Sequence, residues 1–222
     1  MIETYSNNRA LAAAAAAAVA SRLAEGLKTS PRATLVATGG RAPGPVYDLL
    51  KAAPIDWSRV VVTLSDERCL PAEGPESNAR LVRDRLLQDG AARAHFVPLW
   101  PKPEDRTIAA LQPFDAVLLG MGEDGHIASL IPGDPHLGRN LDLTDPALLA
   151  DVPAGLGSPP LARVSLTLRA LLSARAIFLL IAGGAKREAI DRALAGEDLP
   201  VRALLVQTDV PLRVMWSPQH SR

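Results

Sequence analysis

His126 closes the run Gly120-Met121-Gly122-Glu123-Asp124-Gly125-His126, an imidazole two residues from a carboxylate on a turn built of glycines. Such a pair suits general acid–base work, because imidazole titrates near neutrality and a neighbouring carboxylate raises its basicity. The same residue types also fit a structural histidine bonded to a backbone carbonyl. The run contains the letters G-x-G-x-x-G, but Glu123 and Asp124 put carboxylates where a dinucleotide's phosphates would lie. Pro132 also comes too soon for the long helix that the fingerprint opens.

Two further segments pair glycines with a cation. In Thr38-Gly39-Gly40-Arg41-Ala42-Pro43, Gly39 and Gly40 let the backbone approach an anion beside a helix start; the alternative is a simple tight turn. Gly183-Gly184-Ala185-Lys186 places one ammonium in the first turn of a helix but lacks the spacing of a nucleotide P-loop. Arg163 offers another cation. Ser65-Asp66-Glu67-Arg68 carries three charges in a row, which read as a solvated turn or as a site. Cys69 follows it and reads as a small buried thiol rather than a nucleophile. Two Gly-Gly segments with Arg or Lys, and one His between them, describe a site for a small phosphorylated substrate worked by acid–base chemistry.

The elements that must position these residues follow from periodicity. Short β-branched or apolar runs at 33–38, 60–64, 95–97, 116–119, 164–166, 177–181 and 212–216 predict strands. Between them lie helical patterns. Asn7 and Asn8 can cap an Ala-rich helix to Leu27, Pro43 suits the first turn of a helix over 46–53, Ser77 and Asn78 can cap one over 79–88, and 186–194 is helical in period. Strands alternating with helices imply a doubly wound α/β domain: a mostly parallel sheet covered on both faces, in one domain over 1–222. Residues 131–161 interrupt that rhythm as a long excursion rich in Pro and Gly. In such sheets ligands bind beyond the carboxyl ends of the strands, which is where the four loops above fall, while Arg163 opens the strand at 164–166.

Composition narrows the function classes. Lys plus Arg number 24 and Asp plus Glu number 24, so no chain-wide field recruits nucleic acid or a membrane surface. The single cysteine permits no internal disulfide and no structural zinc cluster, and a reducing, cytoplasmic compartment is the default expectation. The Ala-rich segment lacks the basic start and strongly apolar centre of a signal peptide, and no window of 18 strongly apolar residues is expected to span a bilayer.

Taken in order, Gly39-Gly40-x-x-Pro43, Ser65-Asp66-Glu67-Arg68, Ser77-Asn78, the run from Leu119 to Pro132 with Gly120, Gly122, Asp124, Gly125 and His126, Arg163-x-Ser165-Leu166-Thr167 and Gly183-x-x-Lys186 resemble the 6-phosphogluconolactonases. The related glucosamine-6-phosphate deaminases and isomerases share the histidine element. Arg68, Asn78 and the Ala128-Ser129-Leu130 run depart from their usual residues and favour the lactonases. The resemblance implies hydrolysis of 6-phospho-D-glucono-1,5-lactone without cofactor or catalytic metal. It implies His126 as the base on water, Asp124 orienting the imidazole, and Gly39, Gly40, Arg163 and Lys186 around the phosphate. Arg68 would lie near the phosphate or the carbonyl oxygen, and Asp66 near sugar hydroxyls. Ala42 stands where that family usually carries Ser or Thr, and Ile131 where it usually carries Phe. A small-molecule lactone is the expected partner, with the chain a monomer or small homo-oligomer. A deaminase or isomerase, or a noncatalytic sugar-phosphate-binding module, are the rival expectations.

Overall fold

The structure, a computed structural model, describes residues 2–218. After a short strand β1 (Ile2–Thr4), the side chain of Asn7 accepts a hydrogen bond from the Ala10 N–H at 2.9 Å and opens helix α1 (Asn8–Thr29). This helix is long and apolar enough in composition to cross a membrane, contrary to the expectation above, because alanine carries its hydropathy. In the fold it behaves as a core helix. Leu11, Ala12, Ala15, Ala16, Val19 and Leu23 recur on one face and pack inward, with Val19 and Leu23 fully buried. Each of those two side chains contributes about 1.5–3 kcal/mol by leaving water.

The remaining strands of the main sheet are β2 (Ala33–Ala37), β3 (Val60–Leu64), β5 (His95–Phe96), β6 (Ala116–Gly120), β9 (Ile177–Ala182) and β10 (Leu212–Ser217). All 7 strands are parallel, in the order β1-β10-β9-β6-β2-β3-β5. Winding therefore runs outward from β2 to β3 and β5, then returns to β6 and runs outward the other way to β9 and β10. Because parallel crossovers keep one hand, opposite directions of travel put their helices on opposite faces. Accordingly α1 packs on α2 (Gly44–Leu50) and α2 on α3 (Asn78–Arg85), while α7 (Gly184–Leu194) packs on α8 (Pro200–Val206). The predicted doubly wound sheet is present. Its direction reverses between β2 and β6, which pair through Leu35 with Ala116 and Val36 with Val117.

Three features depart from the simple alternation. The strand predicted at 164–166 is not in the parallel sheet. It is β8 (Arg163–Leu166), the centre of an antiparallel sheet with β4 (Asp66–Arg68) and β7 (Leu149–Val152). The charged run after β3 is a strand, not a turn, with only Ser65 separating it from β3. The excursion at 131–161 contains a short helix, α5 (Leu137–Leu141), and β7, so its Pro and Gly residues interrupt elements rather than replace them. Two more short helices, α4 (Asp105–Ala109) and α6 (Leu168–Leu172), complete the chain. Pro43 is the residue before α2, with Pro45 inside its first turn, one position later than the sequence suggests.

The loop after β2 is anchored by a buried tyrosine. Tyr47 on α2 donates its hydroxyl to the Thr38 carbonyl at 2.6 Å and accepts from the Thr38 N–H at 2.8 Å. Burial pushes the phenol's pKa up, so it remains a neutral donor. Tyr47→Phe strands both Thr38 backbone groups and is expected to cost about 1–3 kcal/mol in urea unfolding. An unchanged midpoint would show that the loop does not depend on this anchor.

Candidate active site

The carboxyl ends of β2 and β6 flank a cavity of about 260 Å³ at the point where the sheet reverses direction. Gly39, Gly40, Arg41 and Ala42 line it from the loop after β2, Gly120 from the end of β6, and Gly122 and His126 from the loop that follows. Asp66 and Arg68 enter from β4, Arg163 from β8 and Lys186 from α7. The sequence-predicted residues thus converge from five separate elements. Asp124 stands behind His126 and does not line the cavity.

His126 Nδ1 lies 2.6 Å from Asp124 Oδ1, which also accepts the His126 N–H at 3.2 Å. Burial pushes the Asp124 carboxyl up, but the hydrogen bonds and charge of His126 pull harder and leave it below the usual carboxylate range. A carboxylate on Nδ1 directs that nitrogen's proton and leaves Nε2 as the other reactive atom. Gly122 makes the arrangement possible. A Cβ there would fall 2.3 Å from both Asp124 Oδ1 and His126 Nδ1. Behind the turn, Gly125 has φ +77° and accepts a hydrogen bond from the Val201 N–H in α8 at 2.9 Å, fixing the turn to that helix.

The opposite wall is cationic. Antiparallel pairing of β4 with β8 sets Arg68 directly opposite Arg163. Like charges in that register repel. The Nε of each is buried without a partner. Arg163 is 3 % exposed; its Nη2 donates to the Pro159 carbonyl at 2.8 Å, while Arg68 donates to the Glu76 carbonyl. Burial lowers the Arg163 pKa, Asp66 opposes that shift and Arg68 adds to it. Lys186 and Arg41 have no hydrogen-bond or ion-pair partner among the described residues. Burial also lowers the Lys186 pKa, opposed by Glu123. Arg68 also reaches Glu76 Oε2 at 4.0 Å, and four cations gathered with only that ion pair among the described residues would suit a multiply charged anion. Gly40, at φ +91° with open space where a Cβ would stand, keeps the first loop's backbone accessible on that side.

Beneath the floor runs a buried polar chain. Asp66, 5 % exposed, has Oδ1 2.9 Å from Ser65 Oγ and accepts from Ser129 Oγ at 2.6 Å through Oδ2. Glu67, 2 % exposed, accepts from the N–H groups of Arg68, Asn78 and Ala79 at 2.8, 2.8 and 2.7 Å and from Ser77 Oγ at 3.0 Å. Its carboxylate therefore caps α3 from a distant strand, where the helix N-terminus favours negative charge. Asn78 then donates to the Asp66 carbonyl at 2.9 Å and fills the space that a Cβ on Gly39 would need.

Thr38, Asn78, Met121, Ala128 and Ser158 also line the cavity although the sequence reading named none of them as site residues. Ser77-Asn78, a capping pair after a charged strand, was the available signal for Asn78; nothing local marks Ser158. Cys69 lies outside the cavity lining, and burial pushes its thiol up, against a nucleophilic role.

Residues 6–216 match the family described as glucosamine-6-phosphate isomerases/6-phosphogluconolactonase. The chain is 40% identical over 228 residues to a 6-phosphogluconolactonase of Rhizobium meliloti, covering 96% of this chain and 97% of that protein. Identity is also 40% over 226 residues to one of Caulobacter vibrioides, covering 97% of each. Among solved structures, a 6-phosphogluconolactonase from Shewanella baltica superposes with a TM-score of 0.90 at 35% identity, over 98% of this chain and 97% of that one.

Glu67→Gln sets an amide donor against the N–H groups at the start of α3 that the carboxylate caps. A stability loss on the order of 1.5–3 kcal/mol is expected in urea unfolding. A loss below about 0.5 kcal/mol, the size of an ordinary surface change, would contradict a capping role.

Proposed function

The chain belongs to the glucosamine-6-phosphate isomerase/6-phosphogluconolactonase family, and from that premise we propose that it hydrolyses 6-phospho-D-glucono-1,5-lactone to 6-phosphogluconate in the oxidative pentose phosphate pathway. The observation that carries this reading is one cavity lined by His126, which Asp124 backs from outside the lining, and by a cluster of cations with few partners. Lactone hydrolysis needs a base for water at one end of the substrate. At the other it needs a clamp on a phosphate that does not react.

In the proposed mechanism His126 Nε2 takes a proton as water attacks the lactone carbonyl, and Asp124 stabilises the imidazolium that forms. The tetrahedral intermediate then expels the ring oxygen, which takes the proton back from His126 and becomes a hydroxyl, leaving a carboxylic acid that gives its remaining proton to solvent to become the carboxylate. Lys186, Arg163 and the backbone at Gly39 and Gly40 hold the phosphate. Arg68 adds a second guanidinium opposite Arg163, and a dianion between them relieves their mutual repulsion. The chemistry calls on no cofactor. A monomer or small homo-oligomer in the cytoplasm, with no nucleic acid or membrane partner, accompanies this proposal.

Freshly prepared phosphogluconolactone should open far faster with the protein than in buffer, and glucosamine 6-phosphate should release no ammonia. Comparable ammonia release would move the assignment to the deaminases. His126→Ala is expected to lower kcat by at least about 10² with a much smaller change in KM. A variant retaining near wild-type kcat would make His126 structural.

Lys186 gives a pH test. Its ammonium is lowered in the folded protein, so it loses its proton at a lower pH than an ordinary lysine, and phosphate affinity falls as pH rises through that value. Calorimetric binding of 6-phosphogluconate should therefore weaken on the alkaline side, and Lys186→Arg should remove that limb, because guanidinium keeps its proton. Identical profiles for both proteins would place Lys186 away from the phosphate.

A further inference from the structure

Ser129 touches both buried charges at the cavity floor. Its hydroxyl lies 2.6 Å from Asp66 Oδ2 and 3.4 Å from Arg163 Nη1, and its N–H donates to Ser165 Oγ at 3.1 Å. The side chain is fully buried. Three elements meet there: the loop that carries His126, strand β4 with Asp66, and strand β8 with Arg163 and Ser165. The preceding residue, Ala128, lines the cavity and adopts φ 49°, a left-handed conformation that costs a residue with a Cβ and persists only when its surroundings hold it.

Asp66 and Arg163 form no direct ion pair among the described residues, although both are nearly inaccessible and oppositely charged. The short contact explains this. A hydroxyl has one proton, and at 2.6 Å it is committed to the carboxylate, so Ser129 gives Oδ2 a neutral donor and turns its own oxygen toward Arg163. Arg163 is left with a long contact to the hydroxyl oxygen, its bond to the Pro159 carbonyl and an unpaired Nε. Without the hydroxyl, Oδ2 of the buried carboxylate would lose its donor and draw the guanidinium onto itself, Ser65 serving only Oδ1.

We propose that Ser129 is a positioning residue that insulates Arg163 from Asp66, keeping the guanidinium available to the substrate's anion instead of spent on an internal salt bridge. The inference rests on the reading that Arg163 meets the phosphate. It also gives the serine beyond the catalytic turn a task distinct from that of His126: it tunes how strongly the phosphate is held and leaves the proton transfer alone.

The test compares turnover of phosphorylated and unphosphorylated glucono-1,5-lactone by Ser129→Ala, by Ser129→Ala combined with Asp66→Asn, and by Arg163→Ala, with thermal unfolding of each followed in parallel. Ser129→Ala should raise KM for the phosphorylated lactone by about tenfold while kcat changes less than about threefold, and the unphosphorylated lactone should be nearly unaffected. Adding Asp66→Asn removes the charge that captures Arg163 and should restore most of the lost preference for the phosphorylated substrate. Equal losses on both lactones, an unchanged preference, or no recovery in the double variant would each overturn the insulating role. Arg163→Ala separates the two layers. If it leaves the preference unchanged, the assignment of Arg163 to the phosphate fails; if it abolishes the preference while Ser129→Ala does not, that assignment stands and the role of Ser129 falls.

Discussion

Burial of the Asp66 and Glu67 carboxylates is the constraint on which the rest of the site depends. β3 ends at Leu64 and β4 begins at Asp66, so a single residue carries the chain from one sheet into another, and charged side chains follow it inside. A buried carboxylate is tolerated only when donors surround it. Glu67 meets this by capping α3, and Asp66 by binding Ser65 and Ser129. In satisfying those two groups the structure fixes α3, the loop beyond His126 and the whole of the small antiparallel sheet relative to the parallel one. The geometry of the cavity is largely a consequence of that accounting.

The cations are treated in the opposite way. Arg68, Arg163, Lys186 and Arg41 converge with too few partners, and two buried Nε groups are left bare. Net charge over the chain is zero, so the field that would attract a phosphorylated metabolite is local, made by arrangement and not by composition. Low dielectric around Arg163 and Lys186 strengthens whatever they do bind, at the cost seen in their lowered pKa values. An anion bound among them would restore the balance.

Much of this was legible in the sequence. Periodicity located the main strands and the helices α1, α3 and α7, because an apolar stripe or run is a local property. The glycines were informative for a local reason too: Gly122 leaves room for a pair only one turn away, and Gly40 and Gly125 hold positive φ. β1 and β7 were missed, as short segments with little pattern of their own. β4 was misread because Asp-Glu-Arg carries no apolar alternation, and its strand character comes entirely from β8, which arrives about a hundred residues later.

The sequence by itself therefore determined the α/β class, which follows from periodicity along a few turns of chain, and marked glycine-rich and charged segments beyond strand ends as a candidate ligand site; that this site lies where the sheet reverses direction came only with the strand order. Tertiary structure alone decided that Arg163 faces Arg68 in an antiparallel register, that Glu67 caps a helix and does not meet solvent, and that Ser129 stands between Asp66 and Arg163. Those relations join residues tens of positions apart. They exist only because buried charges must find partners wherever the folded chain brings them, and no local pattern encodes which partner that will be.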